Sequence, residues 1–127
     1  MPVPNALLYL DFDYSEDDAG HGCLDAMADV PAARAPLVEA ELAQVLAWVH
    51  AQRSWRLAPL DDGGDWDYLV HAAPDGTAPA VLEYDPLRAQ FKGSPASALA
   101  TGRVVYTVTL SAREDLCAAL REAFAIG

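Results

Sequence analysis

Alternating apolar and polar positions mark the strands of this chain, because successive side chains of a strand point to opposite faces. Strands are predicted over residues 6–14, 66–72, 80–85 and 103–110, with a short edge strand over residues 89–92. In the first of them the predicted core side chains are Leu8, Leu10, Phe12 and Tyr14. The side chains on the other face are apolar at the start of the strand and acidic at its end, where Asp11 and Asp13 lie. This is the pattern of a strand that emerges into solvent. A Pro-Asp-Gly turn at residues 74–76 joins the second and third runs, so we expect these two to form an antiparallel hairpin.

Apolar residues at helical spacing predict two helices. The first covers residues 37–52, and the second follows a capping-box pattern in which Ser111 is the N-cap and Glu114 lies three residues on. The predicted buried stripe of the second helix is Leu116, Cys117, Leu120, Ala123 and Phe124. The intervening segments are interpreted as loops, namely residues 15–22, a short turn or an irregular entry to the first helix at 24–35, a flexible turn at 60–65 and a small-residue loop at 93–102.

The order of elements is therefore β-α-β-β-(β)-β-α, which places the chain in the α+β class. The simplest architecture is one mostly antiparallel sheet of four to five strands with two helices packed on one face. A length of 127 residues suits one domain, and no internal repeat or linker interrupts it. We therefore expect residues 1–127 to form a single globular domain.

Net charge is the unusual feature of the composition. The chain has 19 Asp and Glu against 8 Lys and Arg, a formal net charge of −11. Such a field repels a phosphate backbone and an anionic membrane surface, so binding to nucleic acid or membrane is disfavoured. The basic residues are scattered and form no patch. The acidity favours a basic protein partner, or serves only to keep an abundant protein soluble.

The two cysteines, Cys23 and Cys117, have no paired-motif spacing, so we expect free thiols in a reducing compartment. The first ten residues lack the basic start of a secretory signal, and their apolar run is too short to span a membrane. The chain is thus expected to be cytoplasmic. Cys23 and His21 are too close in sequence to form a catalytic triad, and no phosphate-binding or dinucleotide motif occurs. An enzyme is therefore disfavoured, and no cofactor is expected.

The apolar strand that ends in Asp11-x-Asp13 resembles the first motif of the haloacid dehalogenase-like phosphatases. The resemblance implies a nucleophile at Asp11, a general acid at Asp13 and Mg²⁺ between them. Two carboxylates at i and i+2 do point the same way at the end of a strand. Tyr14 and Ser15 stand where that family has Gly-Thr, and its lysine motif has no counterpart because Lys92 is the one lysine of the chain. The plainer interpretation is a strand whose solvent end carries charge.

The segment after the first predicted strand offers further metal-ligand types, because imidazole and thiolate groups suit zinc and carboxylates suit Ca²⁺ or Mg²⁺. A solvated loop explains the same residues without a metal, and the spacing of an EF-hand is absent. The candidate metal ligands are Asp11, Asp13, His21 and Cys23, with Asp17, Asp18 and Asp25 beside them in the segment.

Acidic side chains concentrate in two segments from which basic side chains are missing. Residues 1–33 contain seven acidic residues and no Lys or Arg, and a second acidic cluster precedes the strand at 66–72. If these segments meet at one side of the fold, they form a negative face suited to docking a basic protein. The candidate partner-binding residues are Asp17, Asp18, Asp61, Asp62 and Asp65.

These patterns favour a non-enzymatic protein-interaction module, inhibitor-like or adaptor-like, that docks a basic partner as a monomer or a homodimer. Small acidic bacterial proteins that neutralise toxic nucleases have a similar size and charge, which is an analogy of class alone. The alternative is a metal-binding protein or a metal-assisted hydrolase centred on Asp11, Asp13 and residues 15–25. Two unrelated solvated loops would also account for the acidic segments.

Overall fold

The computed structural model of the chain describes residues 7–52, 55–58, 60, 63–74, 78–92, 102–124 and 126. These residues form one six-stranded sheet and two α-helices, so the α+β class is confirmed. The elements are β1 (Asp13–Glu16), β2 (His21–Pro31), a short 3-10 helix (Ala32–Arg34), α1 (Ala35–Ala51), β3 (Trp66–Pro74), β4 (Ala80–Asp85), β5 (Gln90–Lys92), β6 (Arg103–Arg113) and α2 (Glu114–Ala123). The strands lie in the order β1-β2-β6-β3-β4-β5, and every neighbouring pair is antiparallel.

The sheet has six strands where four to five were predicted, and the extra one is β2. Residues 24–35 do not form an irregular entry to the first helix, because β2 occupies most of that segment and pairs with β6 along its whole length. Its buried positions alternate strictly, and three of them are glycine or alanine: Gly22, Leu24, Ala26, Ala28 and Val30. Small side chains add little apolar signal to a sequence pattern, so this strand was missed.

The first predicted strand was also placed wrongly. Residues 7–12 are irregular, and β1 begins at Asp13 and extends into the segment predicted as the loop 15–22. Residues 7–12 leave the sheet because Glu41 of α1 binds their backbone: its carboxylate accepts N–H groups of Leu8, Tyr9 and Leu10. Leu8, predicted as core, is 85% exposed as a result.

The remaining predicted elements are confirmed, with one change at the start of α2. The hairpin of β3 and β4, the edge strand β5 and the helix α1 lie close to their predicted positions. The capping box is wrong, because Ser111 pairs with Cys23 on one side and Asp67 on the other, so that β6 continues to Arg113. Residues 75–77 of the predicted turn and residues 93–101 of the predicted loop lie outside the described residues.

Both helices pack against one face of the sheet. The even-numbered side chains of β2 and β6 are buried in one cluster with the apolar residues of α1 and α2. The Tyr106 hydroxyl reaches across this core and donates a hydrogen bond of 2.5 Å to the Glu39 carboxylate. No helix of the described residues is long and apolar enough to cross a membrane. The described residues place no helix on the opposite side of the sheet, and we call it the helix-free face.

The half-buried imidazole of His50, at the end of α1, gives the fold a pH dependence. The His50 ring lies edge-on to Trp66 at 5.1 Å and stacks on Tyr84 at 5.4 Å between centroids. Its Nε2 atom is buried and has no hydrogen-bond partner among the described residues. Burial lowers the pKa of His50, because a charged imidazolium would lose its hydration there.

The unfolded chain, in which the pKa of histidine is about 6.5, therefore takes up this proton at higher pH than the folded chain does. The contribution of His50 to the free energy of unfolding is fully present above the unfolded-state pKa and is lost as the pH falls towards the folded-state pKa. We expect His50→Phe to be less destabilised than the wild type on going from pH 7.5 to pH 5, as measured by urea unfolding. The matched control is His71→Gln on the helix-free face, which should leave the difference between the two pH values in place. An unchanged pH difference in His50→Phe would contradict the assignment.

Candidate functional site

The helix-free face carries exposed apolar side chains from three strands. Met27 of β2 is 62% exposed, Leu69 of β3 is 46% exposed and Val81 of β4 is 63% exposed. Strand register sets Met27 and Val81 in one row across the sheet, through the cross-strand pairs with Thr107 and His71 between them. Exposed apolar side chains that gather on one face are typical of a binding surface, whereas scattered ones need no explanation.

Carboxylates lie beside these apolar side chains. Asp13 of β1 and Asp25 of β2 are direct cross-strand partners, and both are exposed. They line a shallow depression of about 550 Å³ together with Asp11, Met27 and Thr109. The Thr109 hydroxyl donates a 2.8 Å hydrogen bond to Asp25 Oδ1. We call this depression, with Asp11, Asp13 and Asp25, the acidic depression.

The acidic depression is an electrostatically unbalanced part of the surface. Like charges placed directly opposite each other on neighbouring strands destabilise the pair. Within the part of the chain that the structure describes, no Lys, Arg or His forms an ion pair with Asp11, Asp13 or Asp25. A bound cation or cationic side chain would relieve this repulsion, so the depression favours positively charged partners.

Described residues of the two acidic segments flank the same end of β6. The carbonyl of Gly20, in the turn between β1 and β2, accepts the Glu114 N–H at 3.1 Å. The carbonyl of Asp65, just before β3, accepts the Arg113 N–H at 3.0 Å. The side chain of Arg113 lies between the segments, with Nη1 3.5 Å from Asp65 Oδ1. Asp61 and Asp62 lie outside the described residues.

Two of the predicted partner-binding carboxylates are engaged within the chain. Asp17 Oδ1 accepts the backbone N–H groups of Ala19 and His21, each at 2.9 Å. The His21 hydrogen bond, followed by that of Ala19, holds the pKa of Asp17 below its ordinary value. Asp65 Oδ2 accepts the Arg56 N–H at 2.8 Å. These two carboxylates therefore shape turns, whereas Asp18 is exposed at the tip of its turn.

The candidate metal ligands are divided between two places. Asp11 and Asp13 lie in the acidic depression, while His21 and Cys23 line a small cleft at the end of β2. The imidazole of His21 is held by Asp17, with Nδ1 3.4 Å from Oδ2. Among the described residues, no group of three His, Cys, Asp or Glu side chains is arranged to hold a metal ion.

The chemistry of Cys23 does not suit nucleophilic catalysis. Its thiol donates a 3.4 Å hydrogen bond to Asp25 Oδ2. Burial, and then the Asp25 carboxylate, raise the pKa of Cys23, so the thiolate that would attack a substrate is disfavoured. Cys117 is buried on the opposite face of the sheet, and both cysteines are free thiols.

Sequence reasoning did not identify the apolar part of this surface. Met27 was hidden because β2 was not predicted, while Leu69 and Val81 were located on strands without a prediction of which face the helices cover. The available signal was the alternation in residues 21–31, where every second residue is buried.

Comparison of the chain with family models, curated proteins and solved structures found no match.

Proposed function

We propose that this chain is a protein-interaction module that docks a basic partner through the helix-free face of its sheet, as an inhibitor or an adaptor does. The observation that carries the proposal is that exposed Met27, Leu69 and Val81 share the helix-free face with carboxylates that form no ion pair among the described residues. Apolar contacts at the centre of an interface supply most of the binding free energy, and charges around them steer the encounter and select the partner.

The net charge of −11 also favours a basic partner. It accelerates encounter with a positively charged protein and slows encounter with nucleic acid or an anionic membrane. The free thiols fit a reducing compartment, and we accordingly propose a cytoplasmic location. Among the carboxylates, we assign partner binding to those of the acidic depression, because Asp17 and Asp65 already accept backbone hydrogen bonds in their own turns.

The test compares two triple variants that remove the same charge. The first, Asp11→Asn, Asp13→Asn and Asp25→Asn, neutralises the acidic depression. The matched control neutralises three exposed carboxylates away from that face: Glu16→Gln, Glu114→Gln and Glu122→Gln. Partners captured by the wild type from extracts of its own source are identified, purified and titrated against all three proteins.

We expect the depression variant to weaken binding of the purified partner roughly 30-fold at low salt, equivalent to about 2 kcal/mol. The control variant should change the affinity by less than about threefold, because peripheral charges chiefly affect the association rate. Raising the salt concentration should reduce the difference between the two variants. Equal losses in both variants, or a partner bound equally well by the depression variant, would exclude this surface.

A further inference from the structure

One edge of the sheet is only half covered. Strand β1 pairs with β2 from Gly22 to Asp25, and β2 then continues to Pro31. Among the described residues, no strand pairs with the outer edge of β2 beyond Asp25. We call this stretch, from Ala26 to Pro31, the open edge.

Two hydrogen bonds at opposite ends of β2 establish which backbone groups face outwards. The Glu114 N–H donates to the Gly20 carbonyl at 3.1 Å, and the Ala32 N–H donates to the Gly102 carbonyl at 2.8 Å. Even-numbered residues along β2 therefore direct both backbone groups towards β6, and odd-numbered residues direct theirs outwards. The hydrogen bond of 2.9 Å from the Asp17 N–H to the His21 carbonyl, on the β1 side, agrees with this alternation.

The open edge thus directs the N–H and C=O of Met27 and the N–H of Asp29 away from β6, to a side where no strand of the described residues pairs with them. The Asp29 carbonyl is partly covered, because Arg103 Nη2 donates to it at 3.1 Å while Nε binds Asp29 Oδ1 at 2.9 Å. Pro31 has no N–H and ends the edge. An unpaired row of backbone groups of this kind is a template for an added strand.

The acidic depression adjoins the open edge at the place where β1 separates from β2. Ala26 and Met27, the first residues of the open edge, line the depression together with Asp11 and Asp13. A strand laid along the open edge would lie on the same side of β2 as β1 does. Its alternate side chains would project over the helix-free face beside Asp25, where basic side chains would meet carboxylates.

A second copy of this chain fits the open edge poorly. Two copies repel each other, because each has a net charge of −11. Residues 1–6 of the chain are a poor match as well, because they contain two prolines and no Lys or Arg.

We propose that the basic partner contributes an extended segment that adds to the sheet at the open edge of β2, pairing with Met27 and Asp29 and placing lysine or arginine side chains against the acidic depression. This inference rests on the proposed function and specifies how the partner is held: backbone hydrogen bonds supply the alignment, and the carboxylates supply the charge selection.

The probe for this proposal is a capped synthetic peptide of alternating lysine and valine, about seven residues long, which matches a typical strand. A second probe of the same sequence carries N-methyl groups on alternate amides, in both possible registers. It keeps every charge and side chain but cannot donate backbone hydrogen bonds on the methylated side. Binding is measured by NMR titration of the full chain at low salt, together with hydrogen exchange of the Met27 and Asp29 amides.

The unmethylated peptide should slow exchange of both amides by at least about tenfold, and at least one methylated register should bind about tenfold more weakly or worse. Met27→Pro removes one outward N–H at an edge position where proline is tolerated, and it should also weaken the unmethylated peptide. Met27→Val, which keeps the N–H, is the matched control and should bind nearly as the wild type does.

The two proposals fail in different ways. If both methylated peptides bind as well as the unmethylated one, while Asp25→Asn still weakens all of them, strand addition is overturned and docking at the acidic depression stands. If peptide binding does not respond to Asp25→Asn or to salt, docking of a basic partner at this surface is overturned as well. Tighter binding after deletion of residues 2–6, or a concentration-dependent dimer without peptide, would assign the open edge to the chain itself.

Discussion

Replacing Glu41 by alanine should lower the free energy of unfolding by about 4 kcal/mol, a large part of the stability of a domain of this size. Glu41 is only 9% exposed, although it is an acidic residue in a helix. Its Oε2 atom accepts the N–H groups of Tyr9 at 3.0 Å and Leu10 at 2.8 Å, and its Oε1 atom accepts that of Leu8. Without the carboxylate these donors lose a charged acceptor, and the Leu10 donor is buried.

Glu41→Gln should be intermediate, at about 2 kcal/mol, because the amide keeps one oxygen acceptor and turns an NH₂ group towards backbone donors. The control is Glu122→Gln on α2, an exposed carboxylate whose loss should cost under about 0.5 kcal/mol. Urea unfolding gives the free energies, and hydrogen exchange at residues 8–10 should accelerate in both Glu41 variants. A Glu41→Ala protein within about 1 kcal/mol of the wild type would show that residues 7–12 are held by other contacts.

The Glu41 carboxylate also connects the stability of the fold to the proposed site. Residues 7–12 lead directly into β1, so Glu41 also positions Asp11 at the acidic depression. We therefore expect Glu41→Gln to weaken partner binding as well as stability, whereas Glu122→Gln should affect neither.

Gly64→Ala should be the second strongly destabilising change, at about 3 kcal/mol. A Cβ atom at this position would lie 1.9 Å from the carbonyl oxygen and 2.4 Å from the carbonyl carbon of Ala58. Both are backbone atoms, so no side-chain rotation relieves the clash. The two segments would have to separate, which breaks hydrogen bonds such as that from the Asp65 N–H to the Arg56 carbonyl at 2.8 Å.

The neighbouring Gly63→Ala is the matched control. Gly63 has a positive φ of 81°, but its nearest neighbour for a Cβ is the end of the Arg56 side chain, at 4.0 Å. The expected cost is therefore that of a left-handed alanine alone, about 1 kcal/mol. For a domain of this size the difference between the two variants corresponds to roughly 6–12 °C in melting temperature, measurable by calorimetry. A larger loss in Gly63→Ala than in Gly64→Ala would contradict the close approach of the two chain segments.

Sequence patterns located the elements whose apolar side chains are large. Leu, Val, Tyr and Trp at regular spacing were sufficient for α1, β3, β4 and β6, because a large buried side chain produces a strong periodic signal. Strand β2 was missed although its alternation is regular, since Ala26 and Ala28 are neutral in such a pattern. The first strand was misplaced for a different reason: Leu10 and Phe12 are buried as predicted, but the backbone of residues 8–10 is bound by Glu41 and not by a neighbouring strand.

The candidate site, like the fold, could be predicted from the sequence only in part. The acidic segments and the individual carboxylates are visible in the sequence, and so is the charge that favours a basic partner. Which carboxylates remain available was not predictable, because Asp17 and Asp65 are occupied by backbone groups of turns that form only in the fold. The pairing of Asp13 with Asp25 depends on the register of two strands, one of which was not recognised.

By itself, the sequence determined the α+β class, most of the elements, the free thiols and the negative charge, all of which depend on local periodicity or on composition. The packing of two helices on one face was predicted from the order of the elements. Tertiary structure alone decided that Met27, Leu69 and Val81 are all exposed on the other face and that, among the described residues, no strand pairs with the outer edge of β2 beyond Asp25. Those features arise from strand order and register, which join residues far apart in the chain. No local pattern encodes such contacts, because their free energies depend on which distant surfaces are brought together.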